Sequence, residues 1–320
     1  MTQLVTGGAG FLGAGLVRAL VAAGRAVRVV DDFSRGRPRR LPEGVEVLDG
    51  DVRDAAAVDE AARGCDVIWH LAWVNGTRHF YEKPDVVLDV GVRGTLNTID
   101  AALAAGARRY VFVSTSEVYN TPDRVPTDER EPLRIPDVQN PRFSYGGGKL
   151  AGELLTLHLA ARRGVEAVIV RPHNIYGPDM GFAHVIPEVV ERIITLSDGL
   201  RRDAIELPIQ GDGRETRAFC HVDDGAAGLH LAGEQGTSGE VYHLGRSEET
   251  PIADLIAAIG SNLGVQLTLV PGPLMAGGTP RRCPDVAKLA ALGYAPKVTL
   301  ADGLAQTVAW YRDHFLGRRA

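Results

Sequence analysis

Short apolar runs alternating with stretches of helical periodicity organise the first half of the chain. QLVT ends in glycines, and FLGAGLVRALVAAG then repeats apolar positions at three- and four-residue spacing up to a glycine stop. AVRVVDD, VEVLDGDV, DVIWHLAW and RRYVFVSTS are further strand-like runs, and VEAVIVRPHNIYG is a sixth. PDVVLDVGVRGTLNTIDAALAAGA and KLAGELLTLHLAARRG predict long helices before and after the fifth. The strands are apolar almost throughout, as strands covered on both faces are. Strands alternating with helices predict an α/β fold, a doubly wound parallel sheet. The stretch from Asn120 to Arg142 is rich in Pro and charge, and a loop that long is more often functional than accidental.

Composition narrows the classes. The 320 residues suffice for two domains, or one large domain with an appendage. A net charge of −5 gives no electrostatic case for binding nucleic acid. No run of 18 apolar residues suggests a membrane span, and the N-terminus lacks the pattern of a signal peptide. Cys65, Cys220 and Cys283 are scattered and odd in number, which favours a reducing compartment. We therefore expect a cytoplasmic protein without a metal site.

Three motifs carry chemistry. TGGAGFLG places glycines at 7, 8, 10 and 13, after a strand and at the opening of a helix. Glycine there permits a sharp turn and the approach of a pyrophosphate to the free N–H groups of the helix terminus. Asp31 ends the next strand, where a carboxylate accepts hydrogen bonds from ribose hydroxyls and repels a 2′-phosphate, favouring NAD over NADP. Arg35 and Arg37 soften that preference. In SYGGGKLAGE, Tyr145 and Lys149 share a helix face. An ammonium at about 4 Å supplies on the order of 4 kcal/mol at an effective dielectric of 20, enough to bring a phenol from about 10 to about 7. Gly146, Gly147 and Gly148 lie between them, each costing roughly 1 kcal/mol against Ala in a helix. They would keep side chains away where backbone, substrate or another helix comes close. Third, VFVSTSEVYN runs into Ser114, Thr115, Ser116 and Glu117 at a strand end, where such sheets open onto their ligand crevice.

Together with GDVRD, HLA and RPHNIYGP, these motifs occur in the order seen in extended short-chain dehydrogenase/reductases. Within these the chain resembles the NAD-dependent epimerase/dehydratase group acting on nucleotide sugars. GDGRETRAFCHVDD and RRCPDVAKLAALGYAP extend the resemblance over nearly the whole chain. It implies a Rossmann-type sheet with a smaller C-terminal substrate-binding region. The NAD-binding domain would take residues 1–172 plus about 216–246, and the nucleotide-sugar-binding domain about 173–215 and 247–320. Gly7, Gly10, Phe11, Leu12 and Gly13 would hold the NAD pyrophosphate. Asp31, with Asp32 and Ser34 beside it, would take the adenosine ribose, Asp51 and Val52 the adenine, and Leu71 and Ala72 the nicotinamide side. Tyr145 would be the base, with Thr115 in its hydrogen-bond bridge and Lys149 binding the ribose and lowering the phenol. Asn174, His173, Arg217 and Arg282 would hold the substrate, the arginines gripping its diphosphate. His173, Asp179 and His184 are selectivity candidates by position. A homodimer through a four-helix contact of the helices near 85–105 and 148–163 is also implied.

The chain departs from the pattern near the substrate. GVRGT puts Gly91 where the group often has Asn, and Ser116 stands where related 4,6-dehydratases carry Asp before their Glu. UDP-glucuronate decarboxylases have a run similar to Thr115-Ser116-Glu117. The resemblance thus implies a 4-epimerase, an isomerase working through a 4-keto sugar. The alternatives are a decarboxylase or a 4,6-dehydratase using Glu117, and a non-catalytic NAD sensor.

Overall fold

The computed structural model describes residues 2–273 and 279–318. Six strands succeed one another in the first half: β1 (Thr2–Thr6), β2 (Ala26–Asp31), β3 (Glu46–Asp49), β4 (Cys65–His70), β5 (Arg109–Val113) and β6 (Glu166–Pro172). A late strand, Val241–Leu244, returns to pair with β6, so the sheet reads Val241–Leu244, β6, β5, β4, β1, β2, β3, all parallel. The order reverses between β1 and β4, where Thr6 lies opposite both Val30 and His70. Loops leaving the two strands diverge there and open a crevice.

Each sheet face has its own core. Leu4, Ile68, Tyr110, Phe112 and Ile169 pack against helices on one side, and Val5, Val29, Trp69, Val111 and Val168 on the other. This is why nearly every strand position is apolar. A third cluster, including Ile186, Val190, Ile193, Leu255, Ile259, Leu304 and Tyr311, builds the smaller region from the helices Val185–Leu196, Ile252–Leu263 and Leu300–Gly317.

The long helix after β4 is interrupted. Pro84–Leu88 and Gly94–Ala104 are α-helical, but Asp89–Arg93 forms a π turn. The helix of the Tyr145 motif runs Ser144–Leu155 and also passes into a π turn, Thr156–Ala160. Apolar periodicity does not register one inserted residue, so the sequence predicts continuous helices where the backbone widens.

The segment from Asn120 to Arg142 has little regular structure, but it is tied down. Thr127 donates its N–H to the Cys283 carbonyl (2.8 Å) and accepts from the Asp285 N–H (2.7 Å). These bonds draw the short strand Arg281–Arg282 toward the end of β5, which places Arg282 near Glu117.

Candidate active site

The crevice at the switch point has a volume of about 1050 Å³. Its dinucleotide side is a backbone cradle. Gly7 has φ +67°, and a Cβ there would come within 2.8 Å of the Ala72 Cα. A Cβ at Gly13 would overlap the Gly7 carbonyl oxygen. No other residue fits either position, so the helix terminus stays open to a ligand. Gly10, Phe11 and Leu12 line the same wall. The Thr6 hydroxyl accepts the N–H groups of Leu71 and Ala72, each at 3.2 Å, which fixes the loop after β4 against the cradle.

Asp31 accepts the N–H of Ala9 at 3.0 Å and of Phe33 at 2.9 Å. Burial raises its carboxyl above the ordinary value, against the pull of those two bonds. Asp32 holds Ser34 in a turn through its N–H (3.0 Å) and hydroxyl (2.7 Å). Asp51 and Val52 line the far end, Asp51 gripped by the Arg53 guanidinium at 2.5 Å. A dinucleotide fits what these residues present: an open glycine turn, a carboxylate at the end of β2, and apolar walls from Val52 to Ala72.

At the opposite end Thr115, Glu117, Tyr145 and Lys149 share the crevice wall. Tyr145 is only 7% exposed, stacked on Phe80 at 4.8 Å and edge-on to Trp73 at 6.3 Å. Burial raises its phenol, a hydrogen bond with Thr115 lowers it, Glu117 raises it and Arg35 lowers it. The net direction is upward. This corrects the expectation that Lys149 brings the phenol down to neutrality. The ammonium stands 6.0 Å from the phenol ring centroid, and the aromatic surroundings exclude the water that would stabilise a phenolate. Lys149 is itself buried, which drives its amine well below the ordinary value, with Glu153 opposing. It donates to the Val113 carbonyl at 2.6 Å. Beneath it Glu153 accepts from the Ser114 hydroxyl at 2.5 Å and from Arg171 at 2.9 and 2.5 Å, a buried ion pair that fixes the helix on the sheet.

The glycine run acquires distinct reasons. A Cβ at Gly146 would stand 3.3 Å from the Glu117 carbonyl oxygen, and one at Gly148 3.0 Å from the Trp73 ring. At Gly147 it would make ordinary contact with Ile135 at 3.7 Å. Backbone and an aromatic side chain approach the run at its two ends, and among the described residues nothing demands glycine in the middle.

Glu117 is committed to arginines. Arg282 donates to it at 2.6 Å, and Arg142 stands 3.6 Å away. Burial alone would raise its carboxyl, but Arg282, Arg142 and Arg217 together hold it below the usual carboxylate range. Arg217 sits opposite Arg282 in a parallel strand pair, and burial beside Arg282 lowers its guanidinium to about 10. Three guanidinium groups around one carboxylate leave positive charge over. Asn174 lines the crevice, with its amide donating to the Ala218 carbonyl at 3.1 Å.

Two expected placements change, those of His173 and Arg217. His173 is 1% exposed, edge-on to His243 at 4.6 Å with neither ring nitrogen partnered among the described residues, so it is packed away from a substrate. Asp179 lines the crevice, ion-paired there with Arg39 (2.8 Å) and Arg40 (2.9 Å). Arg217 stands beside the crevice wall that Arg282 forms. His184 does line the crevice, its imidazole lowered to about 4 by burial and then by Arg35. Sequence reading missed Trp73, Phe80 and Arg142. Arg142 lies three residues before Tyr145, but one arginine is a faint signal in a chain with 35 Lys+Arg and only four lysines.

The model of the NAD dependent epimerase/dehydratase family matches residues 3–245. The chain is 33% identical to dTDP-glucose 4,6-dehydratase of Streptomyces antibioticus (98% of this chain, 93% of that one). It is 32% identical to UDP-glucose 4-epimerase of Mycolicibacterium smegmatis (98% and 99%) and 31% to UDP-N-acetyl-alpha-D-glucosaminuronate decarboxylase of Bacillus cytotoxicus (97% and 97%). Among solved structures, dTDP-glucose 4,6-dehydratase of Streptomyces venezuelae with NAD bound superposes with TM-score 0.86 at 32% identity (98% and 97%). UDP-glucose 4-epimerase of Thermotoga maritima with UDP-glucose gives 0.87 at 27% (98% and 99%). With its switch-point crevice, its glycine cradle and these relatives, the chain belongs to the NAD-dependent epimerase/dehydratase family of extended short-chain dehydrogenase/reductases, enzymes that use NAD to modify nucleotide sugars.

Proposed function

We propose that the protein is a nucleotide-sugar epimerase that inverts C4 through a transient 4-keto sugar. One observation carries this choice within the family. The nicotinamide end holds a single proton-moving set, Tyr145 with Thr115, while Ser116 stands where an elimination acid would be needed and Glu117 is ion-paired to Arg282. Inversion at C4 needs nothing more.

Bound NAD+ would accept the C4 hydride, return it, and add a positive charge that favours the Tyr145 phenolate. Tyr145 takes the O4 proton across Thr115 and gives it back when the other face is reduced. Lys149 and Tyr145 hold the nicotinamide ribose end, Gly7, Gly10 and Gly13 the pyrophosphate, and Asp31 the ribose. Arg282 and Asn174 take the substrate, Arg282 facing its diphosphate with the charge of Arg217 behind it.

Decarboxylation is the second reading, and the arginine surplus favours it. A uronate carboxylate would be drawn to Arg142 and Arg282, and a 4-keto uronate loses CO2 as the C5–C6 bond electrons move into the enolate. A homodimer would cover Leu88 and Leu154, which are 41% and 51% exposed on the helices Pro84–Leu88 and Ser144–Leu155. All three cysteines are unpaired and buried, which supports a reducing, cytoplasmic setting. Among the described residues no helix is long and apolar enough to cross a membrane.

Tyr145→Phe tests the reading. Turnover of the wild-type substrate is expected to fall about a thousandfold, with NAD content unchanged. Wild-type turnover in the variant would contradict it. So would a wild-type protein that holds NAD and alters no nucleotide sugar, the behaviour of a sensor.

A further inference from the structure

Trp73, just past the end of β4, stands against Lys149. The Lys149 Nζ lies 3.8 Å from the centroid of the Trp73 ring and 5.0 Å from that of Phe112. Glycines on two other helical segments make the room. A Cβ at Gly91, in the π turn, would overlap the indole, and one at Gly148 would come to 3.0 Å from it. Gly91 is the position where the family motif often has Asn, so a polar side chain there and this tryptophan exclude one another. The indole Nε1 is buried without a hydrogen-bond partner among the described residues. Leu or Phe would fill space without stranding a donor. Filling space therefore does not account for tryptophan, whose π face attracts a cation more strongly than the other aromatic rings.

We propose that Trp73 is a positioning residue for Lys149: in the room left by Gly91 and Gly148, its indole face holds the ammonium fixed and charged at the nicotinamide end of the crevice. Its effect on turnover rests on the epimerase reading; its effect on Lys149 does not.

The other groups around the ammonium are identifiable. Its own helix contributes Tyr145 and Glu153, the latter shared with Arg171. β5 contributes the Val113 carbonyl, and β4 contributes His70, whose imidazole is lowered to about 3 by burial and then by Lys149. The helical stretch after Pro84 contributes Gly91 and Thr95, the latter 3.2 Å from the His70 ring. The helix Thr77–Glu82 contributes Phe80, stacked on Tyr145. Burial drives the Lys149 proton off and Glu153 opposes this, so the indole face acts on the side of Glu153.

The chain has only four lysines, so 13Cε-lysine labelling of the full-length, NAD-loaded protein yields few NMR signals, with Lys149 assigned by Lys149→Met. A pH titration is compared between wild type, Trp73→Phe and Trp73→Leu. Lys149 is expected to lose its proton about one pH unit lower in Trp73→Leu, a tenfold change in its protonation equilibrium, and by less in Trp73→Phe. The basic limb of the turnover profile should move with it. Incorporation of multiply fluorinated tryptophan keeps the ring shape and weakens its face; it should shift Lys149 in the same direction, and it decides the matter if the leucine variant does not fold. Identical titration throughout, or a shift upward, would overturn the proposal even if turnover falls. If wild type converts no sugar, the epimerase reading fails while the lysine titration still judges Trp73.

Discussion

Two glycine runs serve the crevice, one lining it and one in the helix that carries Tyr145 and Lys149, and they are glycine for different reasons. In Gly7–Gly13 backbone meets backbone: Gly7 has φ +67° and a Cβ there would come within 2.8 Å of the Ala72 Cα, and a Cβ at Gly13 would overlap the Gly7 carbonyl oxygen. In Gly146–Gly148 all three residues are helical, and the crowding comes from elsewhere in the chain, the Glu117 carbonyl at one end and the Trp73 ring at the other. The first run is a local conformational requirement, so its spacing alone announces it. The second is a packing requirement, intelligible only once Trp73 is in place.

Acidification should have the largest effect. His70, which bonds Thr6 just before the first run, and His243, in the late strand Val241–Leu244, are buried neutral, each imidazole lowered to about 3, first by burial. Their folded values lie below the unfolded value, so the stability they contribute is full above pH 6.5 and is lost progressively as pH falls from there toward 3. At pH 5 each should cost about 2 kcal/mol relative to pH 7. Urea midpoints at the two pH values check this; a midpoint unchanged at pH 5 would mean that these rings are solvated. Gly13→Ala comes next. It should cost about 3 kcal/mol, lower Tm by roughly 6–10 °C and release NAD, because no side chain can yield where backbone meets backbone. Gly148→Ala should be milder, about 1 kcal/mol, since the Trp73 ring can shift by a few tenths of an ångström. Gly147→Ala should raise stability by up to about 1 kcal/mol, because among the described residues only Ile135 stands near and the helix gains a better former. Calorimetry on the three variants gives the order; a destabilised Gly147→Ala would show that the middle glycine is also required.

The legibility of the molecule follows the same division. The succession of strands, the glycine spacing and the carboxylate of Asp31 at the end of β2 rest on local pattern and were readable in the sequence. The bracketing of Glu117 was not. It depends on the loop 120–142 tying Cys283 and Asp285 to Thr127, and on strand pairing that sets Arg282 beside Arg217. Periodicity carries no information about such pairings between distant segments. His173 misled for the opposite reason. Its position after Arg171-Pro172 made it a selectivity candidate, yet just past the end of β6 its ring packs edge-on against His243, away from the crevice that Asn174 lines. The phenol of Tyr145 follows burial more than its lysine, because Phe80 and Trp73 close around it from helices and loops that the motif does not mention.

The most direct test of the central claim is a proton NMR time course in D2O. The purified protein would be mixed in turn with UDP-glucose, UDP-glucuronate, dTDP-glucose and an ADP- or GDP-linked sugar. The account predicts inversion at C4 of one of them with no deuterium on the sugar carbons, because the hydride never exchanges with solvent and one proton-moving set suffices. Deuterium at C5 with loss of the carboxylate, or at C5 or C6 with loss of the 6-hydroxyl, would contradict it and make Glu117 and its arginines the working centre of the site.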